Sequence, residues 1–229
     1  MIARLPRWVW VGAAMLAGIA GMINAVGFLS VAHQGVTHLT GTTTLLGLAI
    51  GEGKLGEAGY FLALIAAFVV GAMLSGLLIR ERSLLLGRRY GLALVIEAAL
   101  LCVAVPLLRA PSVWGDYLAS AACGLQNAMA STYSGAALRT THVSGMFTDI
   151  GIALGAMLRG LPADGLKFKL WSILIASFAG GGALGAVTFV HLGYATLYIP
   201  AGITAAAGTG YWLYCRYRHI AMDAIDRGD

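Results

Sequence analysis

Charge is what this chain has least of. Only 11% of its 229 residues are Asp, Glu, Lys or Arg, against about a quarter in an ordinary soluble domain, while 59% are apolar and the mean hydropathy is +0.82. That deficit excludes a soluble globule and implies an all-α integral membrane protein. Cysteine is scarce too: Cys102, Cys123 and Cys215 fall inside apolar stretches without paired spacing, which leaves them as small apolar fillers and gives no support to a disulfide framework or a thiolate metal site. Long polar stretches are missing. The longest are a loop over residues 80–89 and a short tail after Cys215, so no soluble domain is expected. The formal charge of +5 does not point to nucleic acid, because the basic residues sit at the ends of apolar stretches and form no single patch.

What the chain has in quantity is apolar sequence long enough to cross a bilayer. Stretches at 8–31, 58–79, 91–108, 116–137, 171–190 and 195–215 lie near the ~20 residues that a spanning helix needs. The first is well beyond the ~7–15 residues of a signal-peptide core and reads as a retained helix. Glycine is abundant, 32 of 229, which in membranes points to close helix packing and to broken helices.

The chain also repeats itself. Gly21-Met-Ile-Asn24-Ala25 is followed by Thr37-His38-Leu-Thr40-Gly41-Thr-Thr-Thr44-Leu-Leu-Gly47-Leu-Ala49-Ile-Gly51. Gly124-Leu-Gln-Asn127-Ala128 is followed by Thr141-His142-Val-Ser144-Gly145-Met-Phe-Thr148-Asp149-Ile-Gly151-Ile-Ala153-Leu-Gly155. Seven of the fifteen positions in the longer segments are identical. A duplicated polar element interrupting apolar helices is the strongest pointer that sequence gives to a solute site at the interface of two repeats.

Segments 41–52 and 145–158 are apolar but short, which suits a re-entrant half-helix better than a full crossing. Charge arbitrates. If both segments cross, Arg80, Arg82, Arg88 and Arg89 gather outside; if both are re-entrant, every Lys and Arg except Lys54 and Arg109 lies inside, as the positive-inside rule prefers. The expectation is one membrane domain over residues 1–229, with six transmembrane helices, two re-entrant half-helices and both termini cytoplasmic. Repeat one covers 8–108 and repeat two 116–215; three crossings per repeat invert the second copy. The two turns should then meet near mid-bilayer and line something polar.

Several residues could carry chemistry there. Asn24 and Asn127, in equivalent places, either hold the broken segments or face a solute. Thr40 and Ser144 are good N-caps, with Thr44 and Thr148 a turn later, and two opposed hydroxyl-rich helix starts fit a ligand cradle. His38 and His142 shape the turns or titrate near neutrality, and His33 could line the same outer vestibule. With no cysteine nearby and few carboxylates, a metal site is weakly supported. Gly47 with Gly51, and Gly151 with Gly155, read as packing faces. Symmetry breaks at Asp149, which replaces Leu45 and is a coupling candidate together with Glu97. Arg139, without a counterpart in copy one, is an anchor, a partner for Asp149 or an anion ligand.

The two motifs, above all Arg139-Thr-Thr-His-Val-Ser144-Gly-Met-x-Thr148-Asp149-Ile-Gly151, resemble those of the YoaK family of bacterial membrane proteins over essentially the whole chain. The resemblance implies an inner-membrane protein of about six spans and supplies no substrate. The resulting expectation is a small-solute secondary transporter, with proton coupling as one option, in contact with the lipid bilayer and a small-molecule or anionic solute. No cofactor, metal or nucleic acid is expected, and the oligomeric state stays open. A passive channel is the first alternative; an intramembrane enzyme and a non-transporting scaffold follow.

Overall fold

The computed structural model describes residues 7–30, 35–79, 88–110, 112–134 and 140–225, and the described residues form an all-helical bundle. Its elements are α1 (Arg7–Leu29), α2 (Leu39–Gly51), α3 (Leu55–Leu78), α4 (Arg88–Arg109), α5 (Trp114–Ser134), α6 (Val143–Leu158), α7 (Gly165–Leu192), a short 3-10 turn (Gly193–Leu197) and α8 (Tyr198–Ile225). Four segments are long and apolar enough to cross a membrane: Trp8–Leu29, Leu55–Leu78, Arg89–Arg109 and Gly165–Tyr217, the last of which contains α7 and most of α8. Large apolar side chains such as Val69, Leu77, Leu158 and Val190 point outward, the reverse of a soluble bundle and the arrangement lipid requires. α5 falls outside that set because it carries Asp116, Ser120, Gln126 and Asn127. It can do so because it is a central helix: Ala119, Ser120, Ala122, Cys123, Leu125 and Gln126 are all buried, so little of it has to face lipid.

The two short apolar helices, α2 and α6, stop in the same way. Gly53 and Gly160 follow them at φ +72° and +75°, a left-handed conformation that glycine adopts without steric cost. Each then closes a Schellman motif: Lys54 N–H donates to the Ala49 carbonyl at 2.8 Å, and Leu161 N–H donates to that of Ala156 at 3.0 Å.

Packing fixes the helix directions. α1 and α7 run the same way, since Gly18 lies against Gly181 and Met22 against Gly185. α3 and α5 also run the same way: Tyr60 bonds Asp116, Ser120 donates to the Leu64 carbonyl, and Phe68 lies on Gly124. α1 and α5 run oppositely. Gln126 donates to the Leu16 carbonyl, whereas Val26 and Ser30, further along α1, sit beside Ala119 and Asp116, earlier in α5. α4 and α8 are opposed as well, for Gly91 approaches Trp212 while Val95 approaches Gly208. It follows that α1 and α3, on either side of α2, point in opposite directions, as do α5 and α7 on either side of α6.

The closest contacts recur between the halves. A Cβ at Gly21 would collide with the Phe178 carbonyl of α7, and one at Gly124 with the Phe68 carbonyl of α3. Gly181 lies in the same way on Gly18, and Gly71 on Ala121. Backbone-to-backbone approach of this kind is how membrane helices gain dispersion contacts where lipid supplies no hydrophobic drive.

Candidate functional site

Both turns are tied to a helix asparagine by the same bond. Asn24 is buried, and its Oδ1 accepts from the Thr37 hydroxyl at 2.9 Å and from the Thr37 backbone N–H at 3.3 Å. Asn127 Oδ1 accepts from the Thr141 hydroxyl at 3.0 Å. A chain that turns back inside a bundle exposes polar groups that must find partners, and these amide oxygens supply them. The two asparagines therefore fasten the turns. Their donors, Thr37 and Thr141, were not singled out from sequence, although each is identical between the copies and stands directly before the histidine.

The expected capping is corrected by two residues of register. α2 begins at Leu39 and α6 at Val143, so the cap positions are His38 and His142, neither with a side-chain cap bond, and Thr40 and Ser144 fall inside the first turn. The hydroxyls that follow bond backwards: Thr44 donates to the Thr40 carbonyl and Thr148 to that of Ser144, both at 3.0 Å. This satisfies a hydroxyl within its own helix. The glycine of each turn has a steric cause, because a Cβ at Gly41 would come within 2.6 Å of the His38 ring and one at Gly145 would overlap that of His142.

The two turns were expected to face each other across a solute, yet α2 packs on α3, α6 packs on α7, and α2 and α6 do not touch. The centre is occupied by α1 and α5, joined through Gln126 and Leu16. His38, Thr40, Thr44, His142, Ser144, Thr148 and Asp149 accordingly lie exposed on the outer faces of the short helices. Gly47, Gly51, Gly151 and Gly155 face outward with them; a Cβ at any of the four would meet nothing within 4 Å, so these glycines do not pack within the chain. Asp149 has no salt bridge among the described residues, and Arg139 and His33 lie outside those residues. Glu97 is the opposite case: it is fully buried on α4.

The structure instead places a cavity of about 250 Å3 among α1, α4, α5, α8 and the second turn. Its walls include Trp8, Leu16, Tyr90, Leu94, Ala130 and Tyr211, and Thr140, the residue before the Asn127-bound threonine, lines it as well. The Thr140 hydroxyl is buried and has no hydrogen-bond partner among the described residues. At the other end of the bundle Val26, Gly27, Val36 and Ala119 surround a remnant of about 10 Å3. Val26, Gly27 and Val36 of the first copy correspond to Met129, Ala130 and Thr140 of the second around the wide cavity, and Ala119 of the second copy corresponds to Leu16 of the first. Beside the small cavity, Tyr60 bonds Asp116 at 3.1 Å, the Tyr60 and Tyr117 rings meet at a tilt, and Trp114 meets Tyr117 edge to face.

A bundle of long, outwardly apolar helices with buried polar ties defines a multi-pass α-helical membrane protein. Residues 12–210 match the family described as a protein of unknown function (DUF1275), and the chain belongs to that family. No curated protein and no solved structure matches it.

Proposed function

We propose that the chain is a small-solute secondary transporter of the cytoplasmic membrane, built from two inverted repeats of three crossings and one re-entrant half-helix each. The observation that carries this reading is the pair of unequal cavities at corresponding positions of the two copies, about 250 Å3 at one end and about 10 Å3 at the other. In an inverted-repeat transporter such inequality is one of two interchangeable states, with the open side exposed and the closed side sealed.

Helix direction supports the topology. A helix between two oppositely running neighbours cannot be a further full crossing, and α2 and α6 occupy such places. At about 1.5 Å per residue, their 13 and 16 residues reach roughly 20–24 Å, short of the ~30 Å hydrocarbon. The distribution of Lys and Arg puts the start of α1, and hence the wide cavity, on the cytoplasmic side. The walls suit a small, largely uncharged solute carrying one hydrogen-bonding group for Thr140. A passive channel is disfavoured by the closed end, since conduction needs one continuous path.

Single cysteines at Lys54 and Arg109, in a background without Cys102, Cys123 and Cys215, should react with an impermeant thiol reagent from outside, and one at Lys167 should not. Labelling of Lys167→Cys from outside would discard the six-crossing topology. Concentrative uptake into vesicles would then separate a transporter from a channel, which cannot accumulate solute.

A further inference from the structure

We propose that Glu97, together with Gln126, forms a buried proton-binding site directly beneath the wide cavity; its coupling role rests on the transporter reading, its protonation chemistry does not. Glu97 is fully buried on α4, and neither carboxyl oxygen meets a hydrogen-bond donor among the described residues. Gln126, on α5, is also fully buried. Its Nε2 is spent on the Leu16 carbonyl at 2.9 Å, while its Oε1 is left without a donor among the described residues. The level is shared: α4 and α5 run oppositely from the close approach of Leu108 to Gly115, which brings Glu97 beside Cys123, one turn before Gln126 on α5. Three acceptor oxygens thus stand in the core with nothing among the described residues donating to them.

The cavity shows how a proton would arrive. Leu94 and Leu16 line it. Glu97 follows Leu94 by one helical turn, and Gln126 holds the carbonyl of Leu16, so the acceptors lie just behind the cavity's inner wall. Of the elements packed against α4, α5 turns Cys123 toward Glu97; α3, α8 and the 3-10 turn bring no charged side chain into electrostatic contact with it among the described residues. An ionised carboxylate without donor or counter-charge has nothing to offset its loss of hydration. Charge at this place has to be neutralised by something that enters. A hydrated proton in the open cavity transfers to one Glu97 oxygen, leaving water and forming a carboxylic O–H whose natural acceptor is Gln126 Oε1, and the reverse step returns the proton to water. Asp149, exposed on α6, has no such enclosure, and we assign it no part in coupling.

Infrared difference spectroscopy of the full chain in lipid nanodiscs, titrated with pH, reads this without any solute. The expected result is a protonated-carboxyl carbonyl band that disappears in Glu97→Gln and persists in Asp149→Asn. Gln126→Leu, which removes the acceptor, should shift the band and its titration midpoint. Glu97→Asp serves as a second carboxylate variant should Glu97→Gln fail to fold, and should retain a displaced band. A wild-type spectrum without the band, or one unaltered in folded Glu97→Gln, overturns the site. In vesicles, Glu97→Gln should keep solute exchange and lose proton-driven accumulation; accumulation with wild-type pH dependence would overturn the coupling role. If the band behaves as expected and no solute is ever accumulated, the transporter reading falls and the proton site stands.

Discussion

Around the first turn, Val26, Gly27, Val36 and Ala119 close on about 10 Å3; around the second, their counterparts Met129, Ala130, Thr140 and Leu16 stand around about 250 Å3. The ties that hold the turns differ much less, with a threonine hydroxyl on an asparagine oxygen at 2.9 Å in one copy and 3.0 Å in the other. The glycine contacts beneath them also recur, Gly21 on Phe178 and Gly124 on Phe68. What varies is therefore the spacing of helices around a constant frame. α4 and α5 pack closely over their length, whereas α1 and α8 barely touch, and the wide cavity opens between those two.

If the frame is common to both copies, breaking it in either should do equal and large damage. Gly21→Leu and Gly124→Leu each force a side chain into a carbonyl of the neighbouring backbone, which no rotamer can relieve. Each is expected to cost about 3 kcal/mol or more and to prevent accumulation of folded protein, read by size-exclusion profile and thermal unfolding in detergent. Wild-type profiles for one variant alone would show that the two crossings are not equivalent.

A smaller effect should sharpen the difference between the copies. Asn24 accepts from two groups of Thr37 and is 9% exposed, whereas Asn127 accepts from one group of Thr141 and is half-buried. Asn24→Ala orphans two donors and should cost about 2–3 kcal/mol; Asn127→Ala, orphaning one with water closer at hand, should cost about 1 kcal/mol. Thermal unfolding of both variants in one detergent gives the order. Equal losses would mean that the second turn is as tightly held as the first.

Much of this architecture was legible in the sequence. The apolar stretches became helices, and the repeated motif marked both turns and the Asn24 and Asn127 that fasten them. The placement of the hydroxyls was not legible. Thr40, Thr44, Ser144 and Thr148 read as a cradle because a helix start with several hydroxyls suits an anion, but those of Thr44 and Thr148 are spent on their own helix, and α2 and α6 stand apart. No local pattern encodes that separation, since it arises from α1 and α5 filling the centre. Gln126, by contrast, stood beside Asn127 in the motif and has no equivalent amide in copy one, where Ile23 occupies its place; the symmetry break on which the proposed proton site rests lies there and not at Asp149.

The smallest effect concerns the glycines of the two short helices, which set the second contrast with the core. A Cβ at Gly47 or Gly151 would meet nothing within 4 Å, and both positions lie inside helices, where glycine is unfavourable relative to alanine by roughly 0.5–1 kcal/mol. Within a single chain, Gly47→Ala and Gly151→Ala should therefore be neutral or slightly stabilising, the reverse of any change at Gly21. The larger Gly47→Leu and Gly151→Leu should be tolerated equally well. Unfolding measured over a range of protein-to-detergent ratios decides what lies outside these faces. If stability at the most dilute ratio matches wild type and falls behind only as the protein is concentrated, another molecule covers the glycines in the assembled state, and the faces are interfaces between chains. If the loss is the same at every ratio, α2 and α6 pack within the chain more closely than their open faces indicate.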